Sequence, residues 1–211
     1  MIKIFVHNHF QVNSTLVYDN TLSGVIIDFS AQTKAEIDEF LSFINENKIE
    51  IKHILLTHPH IDHICGALWV SSYFNLPVMM SKDGERILRT AEAQAELMGF
   101  DVKGIENLNK LYIDEGEDLS FGESKIEVLS TPGHCDGSLS YYFPSEETAV
   151  VGDVLFLENV GRCDLPTGDF DKLKQSVKQK LFTLDDNTKC ICGHGPNTTI
   201  GHEKLYNPYI D

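Results

Sequence analysis

Short apolar runs rich in β-branched residues alternate along this chain with segments that repeat apolar residues at helical spacing. The first three runs are typical of a β-meander and span residues 1–7, 14–19 and 23–29. Residues 33–47 then place their apolar side chains on one helical face, and Thr33 with Glu36 forms a capping-box pattern at the start. The alternation predicts an α/β fold in which helices pack on sheets.

The same alternation continues along the chain, in two series that resemble each other in plan. Further strands are predicted at 51–58, 77–81, 118–121, 125–133, 138–143, 148–153 and 188–193. Helices are predicted at 83–100 and 170–182. The inner stripe of the first of these is expected to hold Ile87, Ala91, Gln94 or Ala95, and Met98. Without a repeat or a linker, residues 1–211 are expected to form a single domain with two sheets.

Composition is that of an ordinary globular protein and limits the classes of partner that the chain is expected to bind. Hydrophobic residues make up 42% and charged residues 23% of the sequence. No run approaches the ~18 apolar residues of a membrane span, and residues 1–10 lack a secretory-signal pattern. The net charge of −15 repels polyphosphates and anionic lipids, so neither nucleic acid nor a membrane is an expected partner. Five cysteines without framework spacing favour a reducing, cytoplasmic location.

Metal-type donors directly follow four of the predicted strands. The stretch THPHIDH, residues 57–63, gathers three histidines and an aspartate after the strand that begins at Ile51. Three other apolar runs end in a small or turn-forming residue, and the donor that follows is His134, Asp153 or His194. Loops beyond strand ends in α/β proteins aim side chains that the sheet holds rigid, so we expect the four donor groups at one rim.

The spacing within residues 57–63 favours two adjacent metal ions. His58 and His60 point the same way in an extended chain, whereas Asp62 and His63 fall on the following loop and helix start and can face a second ion. Without a cation, crowded imidazoles and a carboxylate would repel or desolvate one another. The expected ligands are His58, His60 and His134 at one ion, Asp62, His63 and His194 at the other, and Asp153 as a bridge between ions ~3.5–4 Å apart.

Other potential ligands are interpreted as structural residues. Isolated histidines are usually satisfied core or surface residues, an interpretation that covers His7, His9, His53 and His202. Cys65, Cys135 and Cys163 lie near the motifs and are interpreted as small buried hydrophobic residues. Because all expected donors are nitrogen or oxygen, the site suits two divalent ions, with zinc as the first choice and iron or manganese as alternatives.

The motifs THPHIDH, TPGH, GD and GHG, in this order, resemble those of the metallo-β-lactamase superfamily. GRCDLPTGD at 161–169 and GHGPNTTIGHEKLYNP at 193–208 are similar to its hydroxyacylglutathione hydrolase (glyoxalase II)-like branch. The resemblance runs from about residue 10 to the C-terminal end. It implies a four-layered αββα sandwich with the metals in a groove at the edge between its sheets, held by the same seven ligands.

The chain departs from glyoxalase II in its C-terminal part. That enzyme carries an added helical domain that grips glutathione, whereas this sequence ends at residue 211, so no such domain is expected. Arg162 is the only arginine near the motif loops, and it either binds an anionic group of the substrate or pairs with a carboxylate such as Asp164. Asp28 is either a structural acceptor behind the site or a plain strand-end carboxylate.

The predicted function is a binuclear metal-dependent hydrolase that cleaves a small-molecule thioester. Divalent ions lower the pKa of bound water from ~15.7 toward ~7, which makes a metal-bound hydroxide available at neutral pH. Asp62 is the expected catalytic residue, because it can orient the attacking oxygen as that oxygen loses its proton. A thiolate leaving group needs little acid assistance, since an ordinary thiol has a pKa near ~8.5.

Three other functions remain open from the sequence. Related persulfide dioxygenases keep much of the motif set but use a single iron with oxygen, and they typically lack GHGPNTT around the last histidine. β-Lactamases usually lack the bridging aspartate found here as Asp153. A non-catalytic metal-binding protein is disfavoured because the expected site is complete and leaves positions for water.

Overall fold

The computed structural model describes residues 1–210 and contains two six-stranded sheets. The first sheet consists, in spatial order, of β1 (Ile2–His7), β2 (Val12–Tyr18), β3 (Ser23–Ile27), β4 (Glu50–Leu55), β5 (Val78–Met80) and β6 (Lys110–Tyr112). The second consists of β7 (Leu119–Phe121), β8 (Ser124–Ser130), β9 (Leu139–Phe143), β10 (Thr148–Gly152), β13 (Lys189–Cys192) and β14 (Thr198–Thr199). A separate hairpin is formed by β11 (Leu155–Phe156) and β12 (Asn159–Val160).

The helices lie on the outer faces of the two sheets. Within residues 1–210 they are α1 (Lys34–Glu46), α2 (Ile61–Ile64), α3 (Ala67–Phe74), α4 (Glu85–Met98), α5 (Phe170–Gln179) and α6 (Ile200–Tyr206). The predicted capping box at α1 is confirmed, because Thr33 and Glu36 each accept the other's backbone N–H. None of the helices in this part of the chain is long and apolar enough to cross a membrane.

Three apolar clusters separate four layers. The side chains of a strand alternate between its faces, so Ile26 packs toward the helices while Val25 and Ile27 face the other sheet. The first cluster joins the first sheet to α1, α3 and α4, and the second fills the space between the sheets. The third joins β10 and β13 to α5 through residues such as Leu173 and Val177. The αββα sandwich implied by the resemblance is therefore confirmed.

The two sheets are joined at the rim where the donor-bearing loops begin. β10 and β13 run parallel, so their carboxyl ends lie at the same edge, and the N–H of Gly193 donates to the carbonyl of Gly152 at 2.8 Å. The N–H of Leu139 donates to the carbonyl of Thr57 at 2.8 Å and links β9 to the segment after β4. Asn13, near the start of β2, donates its N–H to the carbonyl of Gly193 at 2.8 Å. These bonds hold loops of both sheets beside one another.

The inner stripe of α4 differs from the prediction at one position. Ile87, Ala91 and Ala95 are buried as expected, but Met98 is 39% exposed. Gly99 adopts the left-handed conformation with φ +75° and ends the helix directly after Met98. The last turn therefore lies beyond the core, and helical periodicity alone overestimates how far the buried stripe extends.

Candidate metal centre

The structure brings the seven predicted donors together at this rim. His58 and His60 follow β4 in extended conformation, and the short helix α2 presents Asp62 and His63 from its first turns. The other three donors come from loops of the second sheet, after β8, β10 and β13. Within residues 1–210 there are three groups whose potential ligand atoms lie within 4.8 Å of one another. Two of them are the predicted sets, His58 with His60 and His134, and Asp62 with His63 and His194, and the third joins Asp28 to His58 and His63.

The first group is a triad of imidazole nitrogens. His134 Nε2 lies 2.8 Å from His60 Nδ1, and the His58 ring centroid is 4.8 Å from the centroids of both other rings. Two nitrogens bound ~2.05 Å from a tetrahedral zinc are about 3.3 Å apart. His58 Nε2 is buried and has no hydrogen-bond partner. A buried nitrogen without a partner is costly, and a cation at the centre of the triad would remove that cost.

The second group combines two imidazoles with a carboxylate. His63 Nε2 and His194 Nε2 are 3.2 Å apart, and His194 Nε2 lies 3.2 Å from Asp62 Oδ2. His63 is fully buried, while His194 is partly exposed and faces the solvent side of the site. The arrangement provides three donors and an accessible side, as a catalytic metal position requires.

Asp153 lies between the two groups. Its Oδ1 is 3.4 Å from His63 Nε2, and its Oδ2 is 3.6 Å from His194 Nε2 and 3.8 Å from His134 Nε2. Asp153 Oδ1 is buried without a hydrogen-bond partner. A Cβ on Gly193 would approach this oxygen to 2.0 Å, so the glycine of the GHG motif is required by close approach. The carboxylate is placed to bridge two cations.

Electrostatics favour the deprotonated, ligand form of the first triad. Burial lowers the pKa of His58 well below its ordinary value, and the neighbouring imidazoles lower it further. Burial and His134 lower the pKa of His60 to about 4, and burial lowers that of His134. Metal ligation uses the neutral imidazole, so these residues are ready to bind a cation at neutral pH.

The second group stabilises positive charge. Burial by itself lowers the pKa of His63, but the carboxylates of Asp62, Asp153 and Asp28 raise it by more, and the net pKa lies well above the ordinary value. Burial raises the pKa of Asp153, but His63 and the other imidazoles lower it, so its net pKa is below the ordinary value. The same carboxylates would stabilise a bound divalent ion, and the donor set therefore fits such an ion.

Asp28 is a structural acceptor behind the site, one of the two alternatives from the sequence. Its Oδ1 accepts the backbone N–H of Thr57 at 2.7 Å, and its Oδ2 accepts the Thr57 hydroxyl at 2.6 Å and His63 Nδ1 at 2.9 Å. Asp28 also adopts a left-handed conformation with φ 52°. A carboxylate on Nδ1 fixes the ring and its tautomer, which leaves His63 Nε2 free for a metal.

Two backbone carbonyls have the same function for other histidines. His134 Nδ1 donates to the carbonyl of Arg162 at 2.8 Å, and His194 Nδ1 donates to the carbonyl of Phe10 at 2.9 Å. A carbonyl only accepts, so the proton of each ring is on Nδ1 and Nε2 carries the lone pair. The His194 loop is further held by Asn13, whose side chain donates to the carbonyls of Cys192 and Gly195.

Arg162 pairs with Asp164 across two hydrogen bonds of 2.8 Å, and both side chains are exposed. The guanidinium thus has the carboxylate partner that was one of its two predicted alternatives. The predicted structural cysteines carry protonated thiols, because burial raises the pKa of Cys65 and Cys135 to about 12. Cys163 is partly exposed, and burial also raises its pKa.

The four remaining histidines have partners elsewhere in the protein. One ring nitrogen of each lies within hydrogen-bond distance of a partner, which is Ser14 Oγ for His7, the carbonyl of Met98 for His9, the carbonyl of Ser120 for His53 and Glu158 Oε1 for His202. His7 differs from the expected satisfied residue, because its Nε2 is buried without a hydrogen-bond partner. Thr57 and Asn13 support the site and were not identified from the sequence. A weak signal for Asn13 is present, since asparagine is depleted in strands and this one lies within one.

We expect Asp28→Asn to lower both metal affinity and turnover about 10- to 100-fold, the usual cost of losing a partner of a metal ligand. The amide keeps the size of the side chain, but one of its two groups can no longer accept from Thr57 or His63. Metal titration and turnover of the purified variant measure the effect. Asp19→Asn is a matched control, because Asp19 is also a buried carboxylate but lies away from the site. It follows the last residue of β2, whereas Val12 at the first residue of β2 pairs with the backbone of His194. Wild-type metal affinity in Asp28→Asn would contradict the role of Asp28.

Comparison with known proteins agrees with this geometry. The model of the Metallo-beta-lactamase superfamily matches residues 7–194. Hydroxyacylglutathione hydrolase GloC of Haemophilus influenzae is 32% identical over 211 residues, covering 100% of this chain and 98% of that protein. The crystal structure of BLEG-1 B3 metallo-beta-lactamase is similar with a TM-score of 0.88 and 30% identity, covering 100% of this chain and 99% of that one.

A second solved structure is that of TTHA1623 in a di-iron-bound form. It is 30% identical with a TM-score of 0.86, and the match covers 98% of this chain and 99% of that one. Proteins of this fold bind one or two divalent metal ions. The family resemblance seen in the motifs is confirmed: this chain belongs to the metallo-β-lactamase superfamily and is a metallo-hydrolase of that family.

Proposed function

We propose that this protein is a binuclear metal-dependent hydrolase that cleaves small thioesters of the hydroxyacylglutathione type. The observation that carries the proposal is the position of Asp153 between two donor groups, with its Oδ1 and His58 Nε2 buried without a hydrogen-bond partner. Two divalent ions, zinc in first place and iron or manganese otherwise, would be held by the seven donors. The name of the Haemophilus influenzae relative supports a thioester as the substrate class.

In the proposed site, the metal ions would activate water and substrate, and the residues of the chain would hold the ions in position. When bound, two divalent ions lower the pKa of water and polarise the carbonyl of the substrate. His58, His60 and His134 would hold one ion as neutral donors, and Asp62, His63 and His194 the other. The backbone carbonyls of Arg162 and Phe10 keep the rings of His134 and His194 in the tautomer that leaves Nε2 free. These contacts fix the geometry before substrate arrives.

Asp62 is the residue proposed to orient the attacking oxygen. Burial raises the pKa of its carboxyl, but His63 and His194 lower it by more, so Asp62 stays ionised. An ionised carboxylate accepts a hydrogen bond from the nucleophile and is too weak a base to keep the proton. The leaving thiolate needs no acid from the protein, because an ordinary thiol has a pKa of about 8.5. The chemistry thus matches a thioester better than an amide.

Arg162 and the net charge of the chain both indicate which class of substrate the protein would bind. The guanidinium and its partner Asp164 are 62% and 70% exposed, so an anionic substrate group can replace Asp164 at low cost. With a net charge of −15, we take a small molecule as the substrate, without nucleic acid or membrane as a partner. We also take residues 1–211 as a single domain, acting in the cytoplasm.

The test combines elemental analysis with hydrolysis of S-lactoylglutathione. We expect about two metal ions per chain together with thioester turnover, and slower cleavage of the oxoester with the same acyl group, whose alkoxide is a poorer leaving group. One iron per chain with oxygen uptake on a persulfide would assign a dioxygenase instead. Nitrocefin turnover without thioesterase activity would assign a β-lactamase, and bound metal without any turnover a binding protein.

A further inference from the structure

Glu203 in α6 is a fully buried carboxylate that the site described above does not use. Its exposed fraction is 0%. The backbone N–H of Glu158 donates to both of its oxygens, at 3.1 and 3.2 Å, and Asn207 Nδ2 donates to Oε2 at 2.7 Å. The hydroxyl of Thr198 donates to Oε1. Every partner is a donor, so the carboxylate acts only as an acceptor.

This burial is unusual because the charge has no counter-ion. Within residues 1–210, no lysine, arginine or histidine nitrogen forms an ion pair with Glu203. Glutamate is almost never fully buried unless it is paired, and desolvating a carboxylate is costly. Neutral donors offset part of this cost, but an apolar residue in a packed core would avoid it. A costly polar group of this kind is a common mark of function.

The partners of Glu203 belong to two segments that carry predicted ligands. Thr198 is in β14, four residues after His194 on the segment that leaves the site. Glu158 is at the turn of the β11–β12 hairpin, which begins two residues after Asp153. Glu203 is therefore a direct connection between the chain after Asp153 and the chain after His194.

The hairpin is held at both sides of its turn. Asn207 Nδ2 donates to the carbonyl of Asn159 at 3.0 Å as well as to Glu203. Glu158 itself is in the left-handed conformation with φ 52°, which is uncommon for a residue other than glycine. The contacts from α6 therefore stabilise the conformation of this turn.

The hairpin in turn contacts the site. The ring of Phe156 lies 6.5 Å from that of His194, centroid to centroid. On the other side of the hairpin, the carbonyl of Arg162 accepts from His134 Nδ1. A shift of the hairpin would therefore move the Phe156 ring beside His194 and the Arg162 carbonyl that accepts from His134. It would also move the backbone that follows Asp153.

From these contacts we propose that Glu203 is a positioning residue that sets the distance between Asp153 and His194, and thereby the affinity of the second metal position. The inference rests on the proposed binuclear site. His194 is one of the donors of that second position, Asp153 is the proposed bridge between the two positions, and Glu203 connects the segments that present them. Ligands held by rigid outer contacts bind metal more tightly because less ordering remains to be done on binding.

Glu203→Gln tests this proposal. Glutamine keeps the size of the side chain but turns one acceptor into a donor, which then faces the donors of Glu158, Thr198 or Asn207. We expect the second equivalent of zinc to bind about tenfold more weakly than in the wild type, and the first equivalent, held mainly by three histidines, to be affected less. Competition with a chromophoric chelator measures both affinities without substrate, and the absorption spectrum of the cobalt-loaded protein reports the geometry of the second ion.

Asp19→Asn is the matched control. Asp19 also holds a turn, by accepting the backbone N–H groups of Thr21 at 2.9 Å and Glu123 at 2.6 Å, at the far end of β2 from the site. We expect it to lower thermal stability and leave both zinc affinities unchanged. If Glu203→Gln folds and binds the second zinc like the wild type, or if Asp19→Asn weakens it equally, the proposal is overturned.

The outcomes also separate this inference from the function it rests on. A wild-type protein that binds a single ion would remove the binuclear site itself, whereas a wild type with two ions and an unaffected Glu203→Gln would remove only the role of Glu203. Should Glu203→Gln fail to fold, Asn207→Ala takes its place, because it releases Asn159 and removes one donor to Glu203. Unchanged affinity for the second zinc in that variant would equally overturn the proposal.

Discussion

Asp153→Ala is expected to lower thioester turnover more than about a hundredfold and to remove one of the two metal equivalents. Loss of a residue that only supports a metal ligand costs about 10- to 100-fold, so loss of a ligand shared by two ions should cost more. The carboxylate lies within 3.4–3.8 Å of imidazole nitrogens from both donor groups, and alanine leaves those groups without a common anion. Elemental analysis and steady-state kinetics on the same preparation measure both effects.

Two further variants complete the Asp153 experiment. Asp38→Asn removes the same charge from an exposed position on α1 and should leave turnover and metal content unchanged. Asp153→Asn keeps the volume of the side chain, so a loss shared with Asp153→Ala would be due to the lost charge. Retained turnover with two bound ions in Asp153→Ala would rule out the bridging role.

Removal of the ions by a chelator is expected to abolish turnover and to lower the melting temperature by about 5–10 °C. A ligand that binds only the folded state stabilises it by about 2.7 kcal/mol when free ligand is at 100 times its Kd. For a protein of 150–250 residues, each kcal/mol corresponds to about 2–4 °C. His58 Nε2 and Asp153 Oδ1 are buried without a hydrogen-bond partner, and these are atoms that would lose a metal ion on chelation. Thermal unfolding with and without chelator gives the shift.

Two controls accompany the chelator experiment, which are the return of zinc to the protein and the Asp153→Ala variant. Adding zinc back should recover both turnover and melting temperature, which excludes irreversible damage. Asp153→Ala, which is expected to bind fewer ions, should show a smaller shift on chelation than the wild type. An unchanged melting temperature in the wild type would contradict a metal site built into the fold.

The main elements of the fold could be predicted from local patterns. The capping box of Thr33 and Glu36 and the apolar face of α1 are both in the structure, because both depend on residues close in sequence. The elements that were missed are short, and they are α3, α6, β6, the β11–β12 hairpin and β14. Strands of two or three residues have too little pattern to detect, and tertiary contacts rather than local preferences hold them.

The meeting of the seven candidate donors at one rim could be predicted as well, since they lie in segments that follow apolar strands. Their outer partners could not. Asp28 reaches His63 only because β3 and β4 pair in parallel, and that pairing joins segments far apart in the chain. Glu203 gave no signal, because a glutamate on a short helix is normally exposed. The spacing of residues thus indicates which groups are candidate ligands, whereas the hydrogen-bond partners of those groups become visible only in the fold.

The link between the two sheets at the rim has a consequence for how the protein matures. Four of the seven donors come from the segment after β4 in the first sheet, and three come from loops of the second. A nascent chain in which one half has formed offers an incomplete set, so tight capture of the ions must wait until both halves dock. In the proposed site, metal binding would therefore come late in folding, after the two sheets have already packed together.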